Sequence, residues 1–274
     1  MHSVESSGAH IPALGFGVFR MSDDEVERLV PAALEVGFRH FDTAQIYQNE
    51  AALGRTLRRS GARRDELFLT TKVWVDNYTD HVFAASVDES LDKLQVEQLD
   101  LLLLHWPGNV VPIADQIAML NAVHTAGKTR YIGVSNQNIA QMEESVRLSA
   151  APIVTNQVEV HPYLDQRRVI DAAKAQNVAI TAYYGMADGK VPHDPTLQAI
   201  GARYGKSAAQ VALRAAIQQG LIVLSKTARL ERIAENAAIF DFTLSSEEMA
   251  SIGGLARPDG RLVSPPGLAP SWDA

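Results

Sequence analysis

The 274-residue chain contains no cysteine, which removes disulfide frameworks, thiolate metal clusters and a cysteine nucleophile from consideration. That composition suits a reducing compartment, and a cytoplasmic protein is expected. No run of about 18 apolar residues occurs, and residues 1–15 lack a charged start followed by a long apolar stretch. Neither a membrane span nor an export signal is therefore expected. A surplus of positive charge is missing as well, because 25 basic residues stand against 32 acidic ones and the formal net charge is −7. Nucleic acid is normally gripped by a concentrated basic face, so no nucleic-acid partner is expected.

What is present supports a continuous core: 46% of the residues are hydrophobic and 21% charged. In residues 22–37, Val26, Leu29, Val30, Ala33 and Leu34 are spaced to share one helical face. Ser22 and Glu25 make a capping box at the start, and Gly37 suits the left-handed residue beyond the end. A short strand over 38–41 follows. The alternation then runs through helix 49–59, strand 67–71, helix 80–94, strand 99–104, helix 113–126 and strand 131–134. It continues through helix 139–148, strand 153–157, helix 166–176 and strand 179–183, with 221–224 and 239–240 as the last two strands.

Strands that are apolar at consecutive positions are buried on both faces, as in parallel sheets covered by helices. About eight of them in an α/β alternation predict a (β/α)8 TIM barrel. No linker divides it, so residues 1–274 read as a single domain.

Asp42, Tyr47, Lys72 and His105 each sit at or just past the end of a predicted strand. A parallel barrel gathers such positions at one mouth, where an acid, a phenol, an amine and an imidazole could meet around one reacting atom. Singly, each is an ordinary rim residue. Their joint placement carries the argument.

In type, order and setting these four match the catalytic tetrad of the aldo-keto reductase superfamily, which the chain resembles along nearly its whole length. The resemblance includes Asp42-Thr43-Ala44 through Tyr47-Gln48-Asn49-Glu50, Lys72-Val73-Trp74, His105-Trp106-Pro107 and Gly133-Val134-Ser135-Asn136. Asn156-Gln157-Val158-Glu159 and Arg232-Ile233-Ala234-Glu235-Asn236 extend it. It implies reduction of a carbonyl, with Tyr47 as proton donor, Lys72 making the phenol more acidic, Asp42 holding Lys72 and His105 orienting the substrate. A free phenol has a pKa of about 10, which is why a neighbouring ammonium would help.

The same resemblance implies NADPH/NADP+ as cofactor. Ser135, Asn136 and Gln157 would hydrogen-bond the nicotinamide amide and Tyr183 would stack on its ring, while Lys226, Thr227, Arg232 and Asn236 would hold the adenosine and its 2′-phosphate. A lysine and an arginine on one dianion would favour NADPH over NADH. Leu14-Gly15-Phe16-Gly17-Val18 is not a dinucleotide fingerprint, because Arg20 stands at the third glycine position; it reads as a turn before the first barrel strand. Two stretches depart from the family's commoner pattern, Tyr184-Gly185-Met186-Ala187 in place of Ser-Pro-Leu, and Ser225 in place of a proline. The pyrophosphate contacts of the first stretch are thereby left open.

Phe19, Trp74, His105 and Trp106 fall where the family lines its substrate pocket, and residues 257–274 where it folds a segment over the mouth. Arg261-Leu262-Val263-Ser264-Pro265, Gly267-Leu268-Ala269-Pro270 and Trp272-Asp273 are similar to the ending of bacterial 2,5-diketo-D-gluconate reductases of the B type. A small-molecule carbonyl substrate is implied, such as a keto sugar acid or methylglyoxal, acted on by a monomer. Two other readings stand beside this one. A metal-dependent barrel hydrolase could use His40, Asp42, His105 and His161, and a regulatory barrel could bind NADPH without turnover.

Overall fold

Strands buried on both faces need cover on both, and this chain supplies it by wrapping helices around a closed sheet. The computed structural model describes residues 2–273. A hairpin of β1 (Ser3–Ser6) and β2 (Ala9–Pro12) comes first. The barrel follows: β3 (Leu14–Gly17), α1 (Asp23–Glu35), β4 (His40–Asp42), α2 (Glu50–Arg59), β5 (Phe68–Val73), α3 (Phe83–Leu94), β6 (Leu99–Leu104) and α4 (Ile113–Thr125). Its second half is β7 (Thr129–Ser135), α5 (Ile139–Leu148), β8 (Ile153–Glu159), α6 (Arg167–Ala175), β9 (Ala179–Tyr183), α7 (Pro195–Tyr204), α8 (Ala208–Gln218) and β10 (Ile222–Ser225). After β10 come α9 (Leu230–Ala237) and α10 (Ser246–Gly253). All eight strands from β3 to β10 are parallel neighbours, and β10 closes the ring on β3.

The expected alternation holds, and the Ser22–Glu25 capping box starts α1 as anticipated. Two strand assignments change. Residues 14–17 are not a turn but the first barrel strand, with all four residues buried. Gly15 serves close packing there: a Cβ would lie 2.8 Å from both His40 Nδ1 and Leu224 Cδ2. Residues 239–240 form no strand; Ile239 is instead a fully buried anchor that fastens the chain to the core between α9 and α10.

Side chains alternate across a strand, so every second residue points into the barrel. At the lower end Phe68, Leu101, Val154, Ala179 and Ile222 pack together with Ala9 and Ile11 of the hairpin, which plugs that end. Ser6 Oγ ties the plug down by donating to Val154 O at 2.7 Å. One layer up, His40 Nε2 meets Thr70 Oγ1 at 3.1 Å. Two residues further along the same strands stand Asp42 and Lys72, at the C-terminal rim.

Candidate active site

The rim group is built by four different strands and loops. Lys72 is fully buried and donates from Nζ to Asp42 Oδ1 at 2.5 Å and to Thr43 O at 2.7 Å. Asp42 Oδ2 accepts from Gln157 Nε2 at 2.8 Å, so β4, β5 and β8 meet on one carboxylate. Tyr47 sits on a short 3-10 turn, Gln45–Tyr47, with Lys72 Nζ 5.1 Å from its ring centroid. His105, one residue past β6, packs edge-on to Tyr47 at 5.6 Å and to Trp74 at 5.2 Å.

The Tyr47 turn is fixed by its flanking amides. Asn49 is buried, accepts from Thr43 Oγ1 at 2.8 Å and donates to Val18 O and Met21 O at 2.9 and 3.1 Å. Gln45 donates to Ser86 and Ser90 on α3 and accepts from the Trp74 N–H at 2.9 Å. Neither amide touches the cavity chemistry. Both locate the phenol.

Electrostatics departs from one expectation. Burial and, next, the Asp42 charge push the Tyr47 phenol well above its ordinary range, and no acidification by Lys72 emerges. Lys72 itself is held against a carboxylate in direct contact. Burial pulls the Lys72 ammonium below the usual lysine range, with Asp42 working against that pull. Burial, helped by the Lys72 charge, holds His105 well below the ordinary histidine value. His105 is therefore a neutral ring. Its buried Nδ1 has no hydrogen-bond partner among the described residues.

A stability prediction follows from the buried rings. His40 is also lowered by burial. As the pH drops through the ordinary value of 6.5, both imidazoles take protons more readily in the unfolded chain than in the folded one. The unfolded state then binds more protons, so stability falls with falling pH. Glu50, whose carboxyl is raised by burial, acts in the opposite sense and offsets part of the loss. Urea unfolding is expected to show a net loss of about 1 kcal/mol between roughly pH 6.5 and 5.5.

A cavity of about 890 Å³ opens over this group, lined at one end by Phe19, Ile46, Tyr47, Trp74, His105 and Trp106. It runs past Ser135, Asn136, Gln157 and Tyr183 to Leu224, Ser225 and Lys226. Ser135 Oγ donates to Gln157 O at 2.7 Å, and Tyr183 Oη donates to Asn136 Oδ1 at 2.7 Å. Gln157 spends its side-chain NH2 on Asp42. Phe19 lies 4.9 Å from the Tyr47 ring and is a wall of the cavity rather than core.

Lys226 lines the cavity, but Thr227 Oγ1 accepts from Arg229 N–H, Asn236 donates to Ser225 Oγ at 2.9 Å, and Arg232 stands exposed on α9. Residues 184–189, left open by the sequence, turn out to line the cavity. Tyr184, Ala187, Asp188 and Gly189 all have positive φ, and only the last of them is the glycine that conformation favours. His161 is bound to Glu159 at 2.9 Å, and among the described residues no three His, Cys, Asp or Glu side chains are grouped to hold a metal ion. No helix among them is long and apolar enough to cross a membrane.

A parallel eight-stranded barrel with an Asp–Tyr–Lys–His group at its C-terminal mouth is the architecture of a reductase, and a profile of the aldo/keto reductase family matches residues 13–257. The chain belongs to that family. It is 42% identical to methylglyoxal reductase DkgB of Salmonella typhimurium over 266 residues, 96% of this chain and 99% of that protein. A crystal structure of a candidate 2,5-diketo-D-gluconic acid reductase B superposes with a TM-score of 0.99 at 62% identity, covering 100% of this chain and 98% of the other. The Bombyx mori aldo-keto reductase in complex with NADP superposes with a TM-score of 0.88 at 32% identity, covering 93% of each.

Proposed function

We propose that this protein is a single-domain, cytoplasmic reductase that uses NADPH to convert small carbonyl compounds, such as methylglyoxal and 2,5-diketo-D-gluconate, to alcohols. The observation that carries the reading is one cavity that joins the Tyr47–His105 pair to an amide-lined stretch and then to Lys226. Ser135, Asn136 and Gln157 offer neutral donors and acceptors suited to a carboxamide, Tyr183 a flat ring beside them, and Lys226 a cation for a phosphate. These residue types fit a nicotinamide dinucleotide phosphate. NADPH supplies the two electrons and the hydrogen that the carbonyl carbon gains.

The chain's own groups handle the oxygen. Neutral His105 donates a ring N–H to the carbonyl oxygen and holds it beside the Tyr47 hydroxyl. As charge builds on that oxygen, Tyr47 passes it the phenolic proton, and the nearby Lys72 ammonium faces the phenolate that remains. The high pKa of Tyr47 keeps the donor protonated until that moment. Phe19, Trp74 and Trp106 wall the reacting centre from water, which strengthens each of these contacts.

Purified protein is expected to oxidise NADPH when methylglyoxal or 2,5-diketo-D-gluconate is added. No turnover with any small aldehyde or keto acid would overturn the proposal. Lys226→Ala is expected to weaken NADPH binding at least about tenfold, as for loss of a charge-assisted hydrogen bond, and to leave NADH within about twofold. Equal losses for the two cofactors, measured by fluorescence titration, would remove Lys226 from the phosphate site.

A further inference from the structure

Glu159 ends β8 at the mouth of the barrel and has no part in the chemistry above, yet it is fully buried with both carboxylate oxygens committed. Oε1 accepts from the Leu262 backbone N–H at 2.8 Å and lies 2.9 Å from His161 Nε2. Oε2 accepts from the Val263 backbone N–H at 3.0 Å, and the Arg261 guanidinium stands 3.6 Å away. A charge could be balanced by a side chain alone. Two successive backbone donors on one carboxylate do something else: they fix where a segment of chain lies.

The segment so fixed is the one over the cavity. Leu262, Val263, Ser264 and Pro265 form a wall facing the aromatic end. Just before them the chain crosses the turn after β8 so closely that a Cβ on Gly260 would stand 1.8 Å from Tyr163 O. Beyond them Trp272 donates from Nε1 to Ser264 Oγ at 3.1 Å, stacks under Arg261 at 3.6 Å and meets Trp106 edge-on at 6.4 Å. The far end is fastened too, with Asp273 Oδ2 accepting from the Ile139 N–H at 2.9 Å at the start of α5.

We infer that Glu159 is a positioning residue for substrate selection: by holding the Leu262 and Val263 N–H groups it sets the distance of residues 260–264 from Tyr47 and Trp74, and so the size of carbonyl compound admitted. The inference rests on the reading that this cavity reduces carbonyls. An amide cannot replace the carboxylate, because Glu159→Gln turns one acceptor into an NH2 facing an N–H donor and strips Arg261 of its counter-charge. Gly260→Ala lifts the same segment from the other side without touching Glu159.

Both substitutions in the full chain test it. Hydrogen exchange of the Leu262 and Val263 amides is expected to be slow in the wild type and at least about tenfold faster in Glu159→Gln. In both variants the ratio of kcat/KM for a naphthaldehyde to that for methylglyoxal should rise about tenfold or more, mainly through KM, with kcat changed by less than about threefold. Unchanged amide protection, or an unchanged ratio in two folded variants, would overturn the inference. Unfolding of both would also overturn it, since the cluster would then be a folding element. A wild type that turns over no carbonyl would sink the reductase reading alone and leave the exchange experiment to judge the clamp.

Discussion

Tyr47→Phe is expected to lower kcat by about three orders of magnitude, the scale on which a positioned general acid acts, while the Kd for NADPH changes less than about twofold. The phenyl ring keeps the contacts with Phe19 and His105, at 4.9 and 5.6 Å, so the cavity retains its shape. Only the proton is lost. The distinguishing measurement is single-turnover reduction at saturating NADPH, which removes cofactor binding from the comparison. Near-normal turnover would move the acid elsewhere, and the neutral ring of His105 would be the next group to test.

The second large effect is on the ion pair behind the phenol. Lys72→Met leaves the Asp42 carboxylate buried, with Gln157 as its remaining side-chain donor. Removing one partner of such a pair costs about 3–5 kcal/mol, because the surviving charge loses its compensation without regaining water. Urea unfolding should show that loss, and turnover should fall by at least about a hundredfold as Tyr47 loses the cation beside its phenolate. The double variant Asp42→Asn with Lys72→Met removes both charges and is expected to recover much of the stability but none of the rate. Recovery of both would mean that the pair only supports the fold.

Much of this was legible in the chain. The leucine run 99–104, the strand 179–183 and the helix 139–148 have the bounds their patterns predict, since each apolar stretch ends on a clear polar or turn signal. Asp42, Lys72 and His105 could be placed because a strand end is visible in sequence and a parallel barrel sends every strand end to the same mouth. Leu14–Gly17 was misread because its two glycines look like a turn, and the His40 ring that Gly15 makes room for is remote in sequence. The direction of the Tyr47 shift was also out of reach. It depends on how deeply the phenol is buried and on how near the Asp42 charge lies, and neither is written in residue type or spacing. Glu159 was visible as part of a motif, but the backbone N–H groups that it holds lie more than a hundred residues away.

The β1–β2 plug has a practical corollary. Its residues share nothing with the cavity, whose lining begins at Gly17. Rigidity added near the mouth risks slowing the motions that admit substrate and release product, the usual conflict in making an enzyme more robust. Ala9, Ile11 and Ser6 lie beyond that conflict. A programme aimed at heat tolerance can repack the floor of this barrel and leave its selectivity alone.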